Sequence, residues 1–120
     1  TLYLACECGN QFKASHPMVI DSSISEPLEL FHIDLCGPST VASLHHKKYI
    51  LVIVDDFTRF TWVFFLRLKS ETPQVLINFI KEIELQIKLP VRRIRSDNGT
   101  EFTNHLLNSF LVSKGITHNF

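Results

Sequence analysis

Arg93-Ile94-Arg95-Ser96-Asp97-Asn98-Gly99-Thr100-Glu101-Phe102 is the stretch on which the fold turns: a short apolar and basic run stops at an aspartate, makes a turn, and leads into a helix. Asp-Asn-Gly is turn chemistry, because Asn and Gly accept left-handed backbone angles and an Asp side chain can cap neighbouring amides. A carboxylate just past the end of a strand in an α/β sheet also stands where ligands and metals bind. Two readings of Asp97 therefore stay open, a loop residue satisfying its own turn or part of an active-site corner. Arg92, Arg93 and Arg95, with Lys88 before them, likewise read either as a solvated strand edge or as a phosphate-contacting rim.

Going back from this corner, residues 91–96 form a short strand, preceded by a helix. Thr72-Pro73 opens that helix, with Thr72 as N-cap and Pro73 in the first turn. Val75, Leu76, Phe79, Ile80, Ile83 and Ile87 recur at helical spacing and face the core. Leu89-Pro90 ends it. Forward from the corner, Thr103 caps a second helix carrying Leu106, Leu107, Phe110 and Leu111, stopped at Lys114-Gly115, and residues 116–120 begin another extended segment.

Upstream, residues 49–54 and 60–66 are apolar runs rich in β-branched and aromatic residues, joined through Asp55-Asp56-Phe57-Thr58-Arg59 as a hairpin whose turn aspartates read as structural. Residues 28–35 form an earlier strand closed by Gly37-Pro38. Asp34 is the anomaly in it. A carboxylate in an apolar strand costs several kcal/mol if buried unpaired, so it needs a cation, a metal or a hydrogen-bonded structural role. His32, two residues away on the same face, reads as a packed or surface side chain. The order strand, strand, strand, helix, strand, helix, strand predicts three antiparallel strands followed by a parallel partner, an α/β mixed sheet. If the fourth strand lies beside the first, Asp34 and Asp97 meet at one end, and two acids in one spot imply a hard cation.

Length and composition fit this picture. A chain of 120 residues, 45% hydrophobic with ten Phe and one Trp, can bury one core. No run approaches a membrane span, and no basic-then-apolar secretion signal opens the chain, which leads to the expectation of a soluble, intracellular protein. Three cysteines, Cys6, Cys8 and Cys36, then read as reduced thiols. Net charge is zero but uneven: residues 1–40 hold five acids and one Lys, and residues 41–120 hold eleven bases against seven acids, a net +4. Lys47 and Lys48, before the hairpin, are outside candidates for phosphate contact. Residues 1–25, with Pro17 and the Ser-rich step at 21–25, read as a weakly structured lead-in, and the core domain as 26–120.

Three ordered segments, Pro27-Leu28-Glu29-Leu30-Phe31-His32-Ile33-Asp34-Leu35-Cys36-Gly37-Pro38, Val54-Asp55-Asp56-Phe57-Thr58-Arg59-Phe60-Thr61-Trp62-Val63 and Arg95-Ser96-Asp97-Asn98-Gly99-Thr100-Glu101-Phe102, together resemble the integrase region of copia-type LTR retrotransposon Pol polyproteins. The resemblance covers residues 6–120. It implies an RNase H-like fold and polynucleotidyl transfer on DNA, with Mg²⁺ or Mn²⁺ held by an Asp, Asp, Glu triad of which Asp34 and Asp97 are the first two members. In the family the Glu lies on a later helix, beyond Phe120. Glu101 matches the family's Asp-Asn-Gly-x-Glu-Phe segment and is not the third acid. The fragment is thus expected to be catalytically incomplete. Upstream the family has a His-His-Cys-Cys zinc module ending Cys-x-x-Cys-x-x-Gly-Lys. Aligned on Gly9, Cys6 takes the second cysteine, Tyr3 stands where the first belongs, and Asn10 replaces Lys, departures that speak against Zn²⁺ binding by residues 1–25. The resemblance also implies a homo-oligomer in the full-length protein, residence in the nucleus or a cytoplasmic virus-like particle, and no membrane partner. A nuclease with the same fold, or a non-catalytic nucleic-acid-binding remnant, are the rival readings.

Overall fold

The computed structural model of the chain describes residues 23–39 and 46–120. The zinc-module correspondence around Tyr3, Cys6, Gly9 and Asn10 lies outside them. Five strands, β1 (Phe31–Cys36), β2 (Tyr49–Asp55), β3 (Thr61–Leu66), β4 (Arg93–Arg95) and β5 (Thr117–Asn119), and two helices, α1 (Thr72–Ile87) and α2 (His105–Lys114), follow one another as β1-β2-β3-α1-β4-α2-β5. The strands form a single sheet ordered β3-β2-β1-β4-β5. β1, β2 and β3 pair antiparallel, and β4 lies parallel to both β1 and β5. This is the expected α/β mixed sheet of an RNase H-like integrase core. Among the described residues, no helix is long and apolar enough to cross a membrane.

Alternation along each strand divides the sheet into two faces. One carries Phe31, Ile33, Leu51, Ile53 and Ile94, and joins Leu76, Phe79, Ile80 and Ile83 of α1 and Leu107 and Leu111 of α2 in the main core. Phe31, Trp62, Phe64 and Phe79 interlock there, with ring centroids 5.1 to 5.7 Å apart in edge-on or tilted contacts. Truncating a buried aromatic of this kind typically costs 3–5 kcal/mol, so this cluster fixes the helix on the sheet. The other face carries Cys36, Ile50, Val52 and Val54. Register puts His32 opposite Val54 and Asp34 opposite Val52, so both polar side chains of β1 belong to this second face.

Several boundaries shift from those expected. The α1 helix does not start from a Thr72 cap. A 3₁₀ turn at Lys69–Glu71 precedes it, and the Glu71 carboxylate folds back onto the Arg67 and Leu68 amides at 2.8 and 2.9 Å. Thr72 is already helical, with its hydroxyl buried and without a hydrogen bond. Asn104, not Thr103, caps α2, its Oδ1 accepting from the Leu106 and Leu107 amides. Gly115 closes α2 in the left-handed conformation (φ 71°), as the Lys114-Gly115 pair predicts. Ile87, assigned to the core by helical spacing, is exposed, whereas Ile77 is buried. Cys36 is disulfide-bonded, which corrects the expectation of a reduced thiol there.

Candidate active site at the carboxyl ends of β1 and β4

The parallel β1–β4 pairing sets Phe31 against Ile94 and His32 against Arg95, a constant offset of 63 positions. Continued two residues past the last paired residues, the same offset would bring Asp97 level with Asp34. Continued alternation would aim them the same way. Asp97 is two residues past Arg95, which shares His32's face, and Asp34 is two residues past His32.

Ser96 supports that orientation. It is buried, and its hydroxyl lies 2.7 Å from His118 Nε2 of β5, whose neighbour across the ladder is the core residue Ile94. Ser96 thus faces the helices and Asp97 the opposite side. The Ser96 hydroxyl donates to the Asp97 carbonyl at 2.9 Å, so His118 Nε2 donates to Ser96. Burial holds the His118 pKa below the usual histidine value.

Each aspartate is held in place by backbone. Asp34 is 4% exposed and its Oδ1 accepts the Leu35 amide at 2.9 Å. Asp97 is half-buried, and its Oδ1 accepts the Gly99 amide at 2.9 Å. Neither Asn98 nor Gly99 adopts a positive φ, contrary to the turn chemistry expected from the sequence. The space beside Gly99 is taken up instead: a Cβ there would lie 2.7 and 2.8 Å from the two Glu101 carboxylate oxygens, which would have to give way. Two carboxylates supply hard oxygen donors of the kind Mg²⁺ and Mn²⁺ take. Among the described residues, no group of three or more His, Cys, Asp or Glu side chains comes together.

The basic candidates divide by position. β2 runs antiparallel to β1, with Ile50 opposite Cys36, so Lys47 and Lys48 enter the sheet at the carboxylate end, both exposed. Arg95 lies two residues before Asp97, and Arg93 two residues before that on the same face. Arg92 stands at the other end of β4, roughly 16 Å along the chain from Asp97. There its guanidinium lies 3.8 Å from Glu26. Sequence reasoning missed Arg67 and Lys69, which follow β3 and so share the Lys47 and Lys48 end. Their signal was present as two bases immediately after an apolar strand running antiparallel to β2.

Sequence reasoning also passed over the His32–Asp56 pair. An ionised carboxylate only accepts, so His32 Nε2 donates to Asp56 Oδ1, at 2.7 Å with both residues buried. Arg59 approaches the same oxygen at 3.5 Å. Asp55 is spent on structure, as expected: its two oxygens accept from the Leu28 amide, the Thr58 amide and the Thr58 hydroxyl at 2.8 to 2.9 Å.

A family profile described as "Integrase core domain" matches residues 25–120. The chain is 32% identical over 113 residues, 94% of its length, to the Retrovirus-related Pol polyprotein from transposon TNT 1-94 of Nicotiana tabacum, and 34% identical over 94 residues, 78% of its length, to that from transposon RE2 of Arabidopsis thaliana. These alignments span only 8% and 6% of the two relatives. Fold, motif order and these similarities agree, and the chain belongs to the integrase core domain family of retrotransposon Pol polyproteins.

Proposed function

We propose that Asp34 and Asp97 hold a divalent cation, Mg²⁺ or Mn²⁺, for polynucleotidyl transfer on DNA. The observation that supports this reading is the parallel β1–β4 register, Phe31 against Ile94 and His32 against Arg95, which continued by two residues would bring Asp34 and Asp97 level at one end of the sheet. Such a cation would polarise a phosphodiester and steady the entering and leaving oxygens of an in-line displacement. The protein's own part is to fix the two carboxylates: the Leu35 amide holds Asp34, and the Gly99 amide holds Asp97. Lys47, Lys48 and Arg95 give a DNA backbone cationic partners near that end, with Arg93 further along and Arg92 at the far end. Two carboxylates leave the ion mostly coordinated by water, so binding by Asp34 and Asp97 is weak.

Mn²⁺ titration followed by electron paramagnetic resonance tests the site. Wild type binds one ion weakly, and Asp34→Asn and Asp97→Asn each abolish that binding. Undiminished binding in either variant overturns the assignment. For DNA, replacing Lys47, Lys48 and Arg95 together lowers affinity and flattens the salt dependence by about one unit of slope per lost phosphate contact. Arg92→Ala changes neither, and an equal effect from Arg92→Ala would displace the interface to the other end of β4.

A further inference from the structure

Glu101 takes no part in the metal reading, yet it is the most unusual carboxylate in the described fold. Its side chain is 6% exposed, and Oε2 is buried without a hydrogen bond. The cation nearest to that oxygen is Lys69 in the 3₁₀ turn before α1, with Nζ 3.7 Å away, an ion pair too long to be a hydrogen bond. A buried carboxylate so thinly partnered costs stability, since the desolvation of the charge is only partly offset.

What it touches is Gly99. Both carboxylate oxygens lie where a Gly99 Cβ would project, so a side chain at position 99 would have to push the Glu101 carboxylate aside. The Gly99 peptide is clamped on its other side too. Its carbonyl accepts the Phe102 amide (3.0 Å), the Thr103 amide (3.1 Å) and the Thr103 hydroxyl (3.2 Å). The amide left pointing away from this clamp is the one that donates to Asp97 Oδ1. A chain of contacts thus runs from Lys69 through Glu101 and Gly99 to Asp97.

We propose that Glu101 is a positioning residue: its buried carboxylate, tethered by Lys69, is the floor on which the Gly99 peptide rests, and through that peptide it fixes the direction of the Asp97 carboxylate. The inference rests on the reading of Asp97 as a cation ligand only for its functional consequence; the positioning itself is a statement about Gly99. It also joins the 3₁₀ turn that launches α1 to the site, because Lys69 opens that turn.

The test is residue-resolved amide hydrogen exchange on Glu101→Gln, Glu101→Ala and Lys69→Met, with buried Leu51 in the interior strand β2 reporting global unfolding. Lys69 is more than half exposed, so Lys69→Met leaves the fold intact even if a Glu101 variant does not. Gly99 exchange rises about ten-fold in Glu101→Ala and by a smaller factor in Glu101→Gln and Lys69→Met, while Leu51 exchange is unchanged or slower, the pattern of a local opening without global loss. Equal acceleration at Gly99 and Leu51, or no change at Gly99, overturns the proposal. A second readout is Mn²⁺ affinity, which falls in the same variants without a fall in melting temperature. Should wild type bind no Mn²⁺, the cation reading of Asp97 fails, and the Gly99 exchange still decides the positioning role.

Discussion

Two turns in this molecule begin with an aspartate after a strand, and they use it in opposite ways. In the β2–β3 hairpin, Asp55 is 1% exposed and its oxygens take three donors, one of them the Leu28 amide 27 residues back in the chain. In the corner after β4, Asp97 stays half-exposed and its Oδ1 accepts the amide two residues on. The first carboxylate is buried in tying the chain together; the second keeps part of its surface in solvent. The hairpin turn reaches towards the same site by another route, because Asp56 beside it fixes His32, which shares a face with Asp34. Solvent exposure, more than the residue type or its turn setting, distinguishes these two turn carboxylates.

The contrast predicts unequal costs. Asp55→Ala removes three hydrogen bonds and strands buried donors, and should lower stability by about 3 kcal/mol or more in urea unfolding, whereas Asp97→Ala should lower it by about 1 kcal/mol. Equal losses would mean that Asp97 is as much a structural tie as Asp55. His32→Ala comes next, at roughly 2 kcal/mol, because it leaves Asp56 buried with only the long Arg59 contact. That variant should also weaken Mn²⁺ binding if the His32–Asp56 pair steadies the strand bearing Asp34, and binding equal to wild type would confine the pair to stability.

The smallest effect expected is pH dependence from beneath the Asp97 corner. The folded pKa of His118 is depressed by burial, so between that value and the usual 6.5 the unfolded chain binds the extra proton. The stability tied to neutral His118 is therefore fully present above about pH 6.5 and is lost as pH falls through the depressed value. Chemical denaturation at pH 7.5 and pH 5.5 should show a decrease in wild type that shrinks in His118→Gln. The same decrease in both proteins would assign the pH dependence to other groups and detach β5 from the argument.

Much of this was legible in the chain. Apolar runs with β-branched residues marked the strands, and helical spacing marked α1 and the buried pair of α2, because those patterns reflect which side of an element meets the core. Strand order followed from the placement of helices between strands. Asp34 stood out for being charged where its neighbours are apolar. Other features depended on contacts between distant segments. The Asp34–Asp97 alignment needs the β1–β4 register, which two residues of ladder determine and no local pattern encodes. Arg92, Arg93 and Arg95 look like one basic run, but a strand separates its ends in space, and Glu26 meets the first of them. Gly99 looked like a concession to left-handed backbone, yet it has no positive φ and the Glu101 carboxylate packs where its Cβ would be. Periodicity records each residue's exposure to the core and so is written locally, whereas charge pairing, close approach and register depend on which segments the tertiary fold brings together.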